Sequence, residues 1–222
     1  MSHSDPFANI FPDLLENSVQ EVGDLIGESL ALQDEQSSQG TLQEIFQAPK
    51  KKFGLADFAV TDKELDPVHL LFDLDLAVEL AGRLIMLPAE EIKASKKQGK
   101  LDGELLDAFS EIANIISGVL NTVLQASFSK KKLHFRKGRL DVYPGKTTDL
   151  PLPTQIQTFF SGNLVLQDKK LVFFQFFFPH SLLEDTAGKE QDKAVAGEAG
   201  TGPAVTTQGD TEPESGSVET DS

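Results

Sequence analysis

One long amphipathic stretch dominates the sequence, Leu105-Leu-Asp-Ala-Phe-Ser-Glu-Ile-Ala-Asn-Ile-Ile-Ser-Gly-Val-Leu-Asn-Thr-Val-Leu124. Its apolar residues recur at the spacing of an α-helix, so one side of this helix must be buried. At about 100° per residue, the polar residues fall within about 40° of one line on the opposite side. We call this line the polar stripe, and it contains Asp107, Glu111, Asn114, Gly118 and Asn121. Burial does not require a carboxylate and an amide three residues apart beside a glycine, so the polar stripe is the candidate functional site.

The net charge of −15 on the 222 residues is concentrated near the C-terminus. Residues 184–222 contain ten acidic, two basic and no aromatic residues, which leaves −7 on residues 1–183. Such a segment buries too little apolar surface to offset its ordering entropy. We expect a flexible N-terminus over residues 1–10, one domain over residues 11–183 and a disordered acidic tail over residues 184–222.

Composition excludes several classes of protein. The mildly acidic folded part disfavours nucleic-acid binding, and no apolar segment has the length of a membrane-spanning helix. Without cysteine there is no disulfide, thiolate metal site or cysteine nucleophile, and the four histidines show no metal-ligand spacing. No export signal precedes the first helix. We expect a cytoplasmic protein with no metal site, no bound nucleic acid and no membrane insertion.

Two further long helices are predicted from hydrophobic periodicity, over residues 12–32 and 75–85. The polar residues 33–40 are predicted as a loop, and a short helix is predicted over residues 41–46. Residues 96–99, Lys-Lys-Gln-Gly, are predicted as the loop before the long helix.

Strand patterns occur on both sides of the long helix. The predicted strands cover residues 53–60, 68–72, 132–135, 140–143, 154–160, 164–167 and 171–178. The last two are joined through Asp168 and Lys169 as a β-hairpin. Long amphipathic helices packed on an antiparallel sheet make an α+β fold the predicted class.

The last predicted strand contains the aromatic run Leu171-Val-Phe-Phe-Gln-Phe-Phe-Phe178. An aromatic platform for bases or lipids is disfavoured, because no basic residues alternate with the rings. Burial on both faces of a sheet explains the run better. An edge strand that forms a homodimer is the other interpretation that stays open.

The chain resembles the CheC/CheX/FliY family of chemotaxis phosphatases over residues 11–183. The resemblance rests on Asp107-x-x-x-Glu111-x-x-Asn114-x-x-x-Gly118 and on the preceding Leu80-Ala-Gly-Arg-Leu-Ile-Met-Leu-Pro-Ala-Glu-Glu91. Family members carry Asp or Ser and then Glu-x-x-Asn on an exposed helix face, sometimes duplicated within one domain. The resemblance implies a CheC/CheX-like fold and a phosphorylated CheY-like response regulator as partner. It implies no cofactor of the chain's own, since the divalent metal, Mg²⁺, is expected on the regulator.

The same resemblance assigns roles to the polar stripe. Glu111 would pair with the lysine near the regulator's acyl phosphate and set the docking register, and Asn114 would orient the attacking water. An amide suits that role because it is a donor and an acceptor without charge, whereas phosphoryl oxygens repel a carboxylate. Gly118 and Asn121 are assigned to partner binding, and Asp107 would either interact with the partner or hold the start of the helix. The implied activity is hydrolysis of a phosphoryl-aspartate in chemotaxis or related two-component signalling.

The first helix carries an altered copy of the polar stripe. A shift of 90 residues places Asp24 on Asn114 and Glu28 on Gly118, and it also aligns the apolar positions. The match indicates an internal repeat, although any two amphipathic helices agree at apolar positions. Because the first face is more negative and more crowded, we expect one working site per chain.

Two features keep other interpretations open. Family members have a proline at the position of Lys137, which indicates either a local insertion or a divergent member. Glu111 and Asn114 could also be ordinary solvated residues. The alternative function is a non-catalytic module that binds the phosphorylated regulator or serves as a motor-switch or scaffold component.

A dense basic cluster follows the long helix. Its residues are Lys130, Lys131, Lys132, His134, Arg136, Lys137 and Arg139. A helix C-terminus favours cations through its dipole, which is a structural explanation. Attraction of the acidic pocket of a receiver domain is the functional one.

Overall fold

Runs of helices and runs of strands follow one another along the described part of the chain, which is the pattern of the predicted α+β fold. The computed structural model describes residues 10–41, 52–61, 64–127, 133–143, 156–166, 169–179 and 181–182. The predicted tail, residues 1–9 and residues 42–46 of the predicted short helix lie outside this set. Ile10 is buried at the start of the first helix.

The described residues form the following helices and strands. The helices are α1 (Ile10–Ile26), α2 (Leu74–Leu84), α3 (Ala89–Gln98) and α4 (Gly103–Ser127). The strands are β1 (Leu30–Thr41), β2 (Phe53–Val60), β3 (Val68–Asp73), β4 (Phe135–Tyr143), β5 (Ile156–Leu166) and β6 (Lys169–Pro179). The predicted α2, α4, β2, β3 and β6 agree with these bounds to within three residues.

The six strands form one antiparallel sheet in the order β1-β5-β6-β3-β2-β4. If β1, β2 and β3 are replaced by β4, β5 and β6 and the reverse, the same strand order results, read from the other edge of the sheet. The first strand of each half marks the repeat, since β1 begins at Leu30 and β4 begins at Phe135, 105 residues later. This topology supports the predicted internal repeat, one helix followed by three strands.

The two halves differ in the length of their helices. The polar stripe repeats at 90 residues and the strands at 105, and the difference lies between helix and strand. Ile26 ends α1, whereas α4 continues past its counterpart Ile116 to Ser127 before β4 begins at Phe135. Since α1 has 17 residues and α4 has 25, the helix of the second half is about two turns longer.

The main core lies between the sheet and α1, α2 and α4. Phe109 of α4 packs on Phe72 of β3 with ring centroids 4.4 Å apart, and Phe11 of α1 stacks on Phe160 of β5 at 3.5 Å. All four side chains are buried, and each contributes about 2–3 kcal/mol by leaving water. This packing fixes α4 and turns its polar stripe outward.

The aromatic strand β6 lies inside the sheet, between β5 and β3. Phe176 faces the main core, while Phe177 joins a second apolar cluster on the opposite face, and both side chains are fully buried. Burial on both faces is thus confirmed for the described part of β6. The interpretation of β6 as an edge strand for a homodimer is wrong. The predicted β5–β6 hairpin is confirmed by the pairing of Leu166 with Lys169.

The predicted helix over residues 12–32 runs too far, and the predicted loop over residues 33–40 is wrong. Gly27 adopts a φ of 69°, and the Glu28 N–H donates to the Gly23 carbonyl at 2.9 Å, which ends α1. Residues 30–41 then pair with β5 as β1. Backbone hydrogen bonds to a neighbouring strand stabilise this polar segment, and its own side chains gave no strand signal.

Helix α3 replaces the predicted loop over residues 96–99. It follows Pro88 and ends at Gly99, whose φ is 59°. Only one side chain of α3 is buried, that of Ile92, which packs against Gly82 of α2. The sequence therefore lacks the apolar periodicity that would have predicted this helix.

Two pairs of predicted strands are single strands in the structure. Residues 135–143 form β4 without a break, although residues 132–135 and 140–143 were predicted separately. Residues 156–166 likewise form β5, and the register shift near Gly162 lies within the strand. A bulge interrupts the alternation of side chains without ending the strand.

Candidate functional site

The polar stripe lies on the outer side of α4. Asp107, Glu111, Asn114 and Gly118 are exposed, and Asn121 is half-buried. The opposite side of the helix holds the core residues Leu105, Ala108, Phe109, Ile112, Ala113, Ile116, Ser117, Val119, Leu120, Val123 and Leu124. The structure therefore brings four of the five predicted residues onto one accessible face.

Glu111 and Asn114 are neighbours on this face. The Asn114 Nδ2 donates to the Glu111 Oε2 at 3.5 Å, which is the outer limit of a hydrogen bond. Within the described ranges, neither side chain has another hydrogen bond or ion pair. Both groups are therefore available to a protein that docks on α4.

Gly118 is not required by the packing of this chain. A Cβ at this position would meet no atom within 4 Å. A glycine inside a helix destabilises it by about 1 kcal/mol relative to alanine. Gly118 leaves open space on the surface of α4, and this space would allow another backbone to approach closely.

Asn121 has a different environment from the rest of the polar stripe. Its Nδ2 donates to the Phe135 carbonyl at 2.9 Å, and its Oδ1 accepts from the Phe135 N–H at 2.6 Å. The Ser117 hydroxyl donates to the same carbonyl at 3.1 Å. Asn121 thus joins α4 to β4, and its predicted role in partner binding stays a prediction.

Glu28, which the altered copy places on Gly118, lies just beyond the end of α1 and is paired within the chain. The Glu28 Oε1 lies 2.6 Å from Arg83 Nη1, and Arg83 Nε donates to Glu79 Oε1 at 2.8 Å. Lys96 also pairs with Glu79. Burial raises the pKa of the Glu79 carboxyl, but Lys96 and Arg83 outweigh it and hold that pKa below its ordinary value. The side chain at the position of Gly118 is therefore held in an ion-pair network.

The described part of the basic cluster is divided between two faces of β4. Lys137 reaches α4, where its Nζ donates to the Ser110 hydroxyl. Arg139 lies on the opposite face and pairs with Asp57, whose charge raises the pKa of the guanidinium. Residues 130–132 lie outside the described ranges. Sequence reasoning missed the contact of Lys137 with Ser110, because no pattern in the sequence indicates it.

Comparison with known proteins supports the fold directly. No protein-family model matches the sequence, and no curated protein matches it either. The structure is similar to the crystal structure of FliY from Thermotoga maritima, with a TM-score of 0.68 and 13% identity over 87% of this chain and 98% of that one. The chain has the fold of the CheC/CheX/FliY family. The predicted resemblance is therefore confirmed at the level of the fold.

Two FliM structures share this fold of the CheC/CheX/FliY family. The FliM middle domain from H. pylori matches with a TM-score of 0.62 and 12% identity, over 83% of this chain and 99% of that one. FliM in the FliG–FliM complex from H. pylori matches with a TM-score of 0.61 and 13% identity, over 83% of this chain and all of that one. None of the helices in the described ranges is long and apolar enough to span a bilayer.

Proposed function

We propose that this chain hydrolyses the phosphoryl-aspartate of a CheY-like response regulator in chemotaxis or related two-component signalling. The observation that carries the proposal is the exposed Glu111–Asn114 pair on α4, beside the open space at Gly118. A regulator docked on this face would place its acyl phosphate against the Asn114 amide.

Asn114 acts on the attacking water. Its carbonyl oxygen accepts a hydrogen bond from that water, and its NH₂ donates to a phosphoryl oxygen. The water oxygen attacks phosphorus as the bond from phosphorus to the aspartyl oxygen breaks, which releases inorganic phosphate and an aspartate carboxylate. The regulator supplies its own Mg²⁺ and lysine, so this chain contributes position rather than an acid or a metal.

Glu111 sets the docking pose. A carboxylate beside the phosphoryl group would be repelled, so Glu111 acts one step away by pairing with the regulator's lysine. Its hydrogen bond to Asn114 is long and breaks at little cost when the regulator docks. The two side chains thus divide recognition and catalysis between them.

A second function is a non-catalytic motor-switch or scaffold component that binds the phosphorylated regulator. The similarity to FliM, with TM-scores of 0.61 to 0.62, favours it. FliM from H. pylori occurs in complexes with FliG and with SpeE, so a protein of this fold can bind other proteins. Such a module would bind the regulator and leave its phosphoryl group intact.

Phosphate release from receiver domains decides between the two functions. Each CheY-like receiver domain of the source genome is charged with acetyl phosphate, and inorganic phosphate is measured with and without this chain. We expect faster release from the cognate domain and a loss of about 100-fold in Asn114→Ala, because misplacing the water removes most of the positional advantage. The matched control is Asp24→Ala on α1, which should retain full activity.

Each contrary result has a distinct meaning. Unchanged release from every domain, together with binding of a phosphorylated one, would establish the non-catalytic function. Accelerated release that is equal in Asn114→Ala and the unaltered chain would remove Asn114 from the site. A loss of about half of the activity in each of Asp24→Ala and Asn114→Ala would show two working sites.

A further inference from the structure

Lys137 places a cation beside the polar stripe. It lies on β4 with its side chain toward α4, and its Nζ donates to the Ser110 hydroxyl. Ser110 and Asn114 are four residues apart on one helix, so their Cβ atoms are about 5–6 Å apart. Lys137 therefore holds its ammonium about one helical turn from the Asn114 side chain.

The flank on which Lys137 lies is the one away from Glu111. At about 100° per residue, Ser110 and Glu111 diverge by about 100° around α4, and Asn114 falls between them. A regulator whose lysine meets Glu111 would therefore leave the Ser110 side of Asn114 open for Lys137. The two cations would approach from opposite sides.

The ammonium of Lys137 is bonded to a neutral group. Within the described ranges it has no carboxylate within ion-pair distance, although Asp107 and Glu111 lie on the same helix. An ammonium has three donors, and the Ser110 hydroxyl uses one of them. Lys137 can thus bind an anionic oxygen without giving up its bond to α4.

The phosphoryl group needs such a cation at this face. Asp107 and Glu111 make the polar stripe negative, and both would repel a phosphoryl group bound at Asn114. Arg139 is paired with Asp57 on the far face of the sheet, and Arg136 alternates with Lys137 on β4 and points away from α4. Among these cations of β4, Lys137 is the one that lies beside α4, where it can offset the repulsion between the carboxylates and the phosphoryl group.

We propose that Lys137 binds a phosphoryl oxygen of the docked regulator and so makes this chain prefer the phosphorylated form. The proposal rests on the proposed docking of a regulator at α4. It does not require that hydrolysis occurs, because a non-catalytic module would need the same preference. It also assigns a role to the position at which family members have a proline.

Binding measurements with a phosphoryl mimic test this role. Dissociation constants are measured by titration calorimetry for one receiver domain, with and without bound beryllium trifluoride, against the unaltered chain and Lys137→Met. We expect Lys137→Met to weaken binding of the beryllium-loaded domain about tenfold, the range of one charge-assisted hydrogen bond. Binding of the unloaded domain should change less than twofold.

Two variants separate this role from simpler ones. Ser110→Ala removes the internal bond but keeps the ammonium, so it should retain the preference for the loaded domain. Arg136→Met removes the same charge from the other side of β4 and should affect both forms equally. If Lys137→Met weakens binding of both forms equally, Lys137 contacts the acidic pocket of the receiver domain and not the phosphoryl group. If Ser110→Ala and Lys137→Met have equal effects, Lys137 acts through its packing on α4. Either result, or no change in Lys137→Met, overturns the proposal.

The outcomes for hydrolysis and for Lys137 are independent. If phosphate release is unchanged by the chain but the loaded domain binds through Lys137, the hydrolysis proposal fails alone. If Asn114→Ala stops hydrolysis while Lys137→Met keeps the preference for the loaded domain, the Lys137 proposal fails alone.

Discussion

The carboxylate of Asp57 lies 2.8 Å from Nδ1 of His69, its partner in the β2–β3 ladder. Its second oxygen accepts from Arg139 Nε at 3.1 Å and Nη2 at 3.0 Å. A bulge in β4 sets Gly138 and Arg139 opposite Asp57, which turns Arg139 toward the carboxylate. Burial raises the pKa of Asp57, but His69 and Arg139 outweigh it and hold that pKa below its ordinary value of 3.8. This group joins three strands on the face of the sheet opposite α4.

The lowered pKa predicts how Asp57→Asn changes stability with pH. A carboxyl whose pKa is lower in the folded state stabilises the fold above the unfolded value, and this contribution disappears as pH falls through the folded pKa. We expect Asp57→Asn to lower the free energy of unfolding by about 2 kcal/mol at pH 7, because it leaves His69 and Arg139 without their anion. The difference should shrink below pH 3.8. Urea unfolding at pH 7 and pH 3 measures both values.

Asp141→Asn is the control for Asp57→Asn. Asp141 lies 4.0 Å from Arg139 Nη1, and its side chain is 44% exposed. Removing this charge should change stability by less than about 0.5 kcal/mol at either pH. A loss in Asp57→Asn that is the same at pH 7 and pH 3 would show that the hydrogen bonds act without the charge.

Gly54→Ala should be strongly destabilising. A Cβ at Gly54 would overlap the ring of Phe72, which is itself packed against Phe109 of α4. Because the Phe72 ring is buried and must shift from its contact with Phe109, we expect a loss of about 2–3 kcal/mol from overpacking. The measurement is the urea midpoint at constant m-value. A midpoint within error of the unaltered chain would show that Phe72 can be displaced freely.

The exposure of Asp107, Glu111, Asn114 and Gly118 could be predicted from the sequence because its cause is local. Helical spacing alone decides which residues of α4 face outward. The apolar residues between Leu105 and Leu124 identify the buried side of the helix. The same local signal failed for β1, where Gln33 to Gly40 are polar and become a strand only by pairing with β5, more than a hundred residues later. Pairing with a distant strand leaves no mark in the segment itself.

The side-chain contacts between elements were beyond sequence reasoning. Asn121 was placed on the polar stripe by its helical angle, but the approach of β4 supplies the Phe135 backbone that binds it. Lys137 and Ser110 meet for the same reason. The register of β4 beside α4 decides both contacts, and it depends on the bulge opposite Asp57.

Asn121→Ala tests whether this residue serves the fold or a partner. Both atoms of its amide are bonded to the Phe135 backbone, and Phe135 is fully buried. Loss of the two bonds should lower the free energy of unfolding by about 1–2 kcal/mol. Below its unfolding temperature the variant should bind a receiver domain with unchanged affinity. Weaker binding with unchanged stability would restore Asn121 to the docking surface.

Gly118→Ala should separate stability from docking. The added Cβ meets open space, and alanine favours the helix by about 1 kcal/mol, so the melting temperature should rise. The same methyl group projects from the polar stripe next to Asn114, where the backbone of a docked regulator would lie. We expect binding to weaken at least tenfold in this more stable protein, as measured by titration against the cognate receiver domain.

Gly23→Ala on α1 is the matched control for Gly118→Ala. A Cβ at Gly23 would meet the Glu28 carbonyl oxygen at 2.7 Å, so this substitution should lower stability. Because it lies away from the polar stripe, it should leave binding unchanged while the protein is folded. Since the two substitutions add the same methyl group, opposite effects on stability and binding cannot come from a general loosening of the fold. A Gly118→Ala variant that is more stable and binds as well as the unaltered chain would show that no partner backbone approaches α4 at this position.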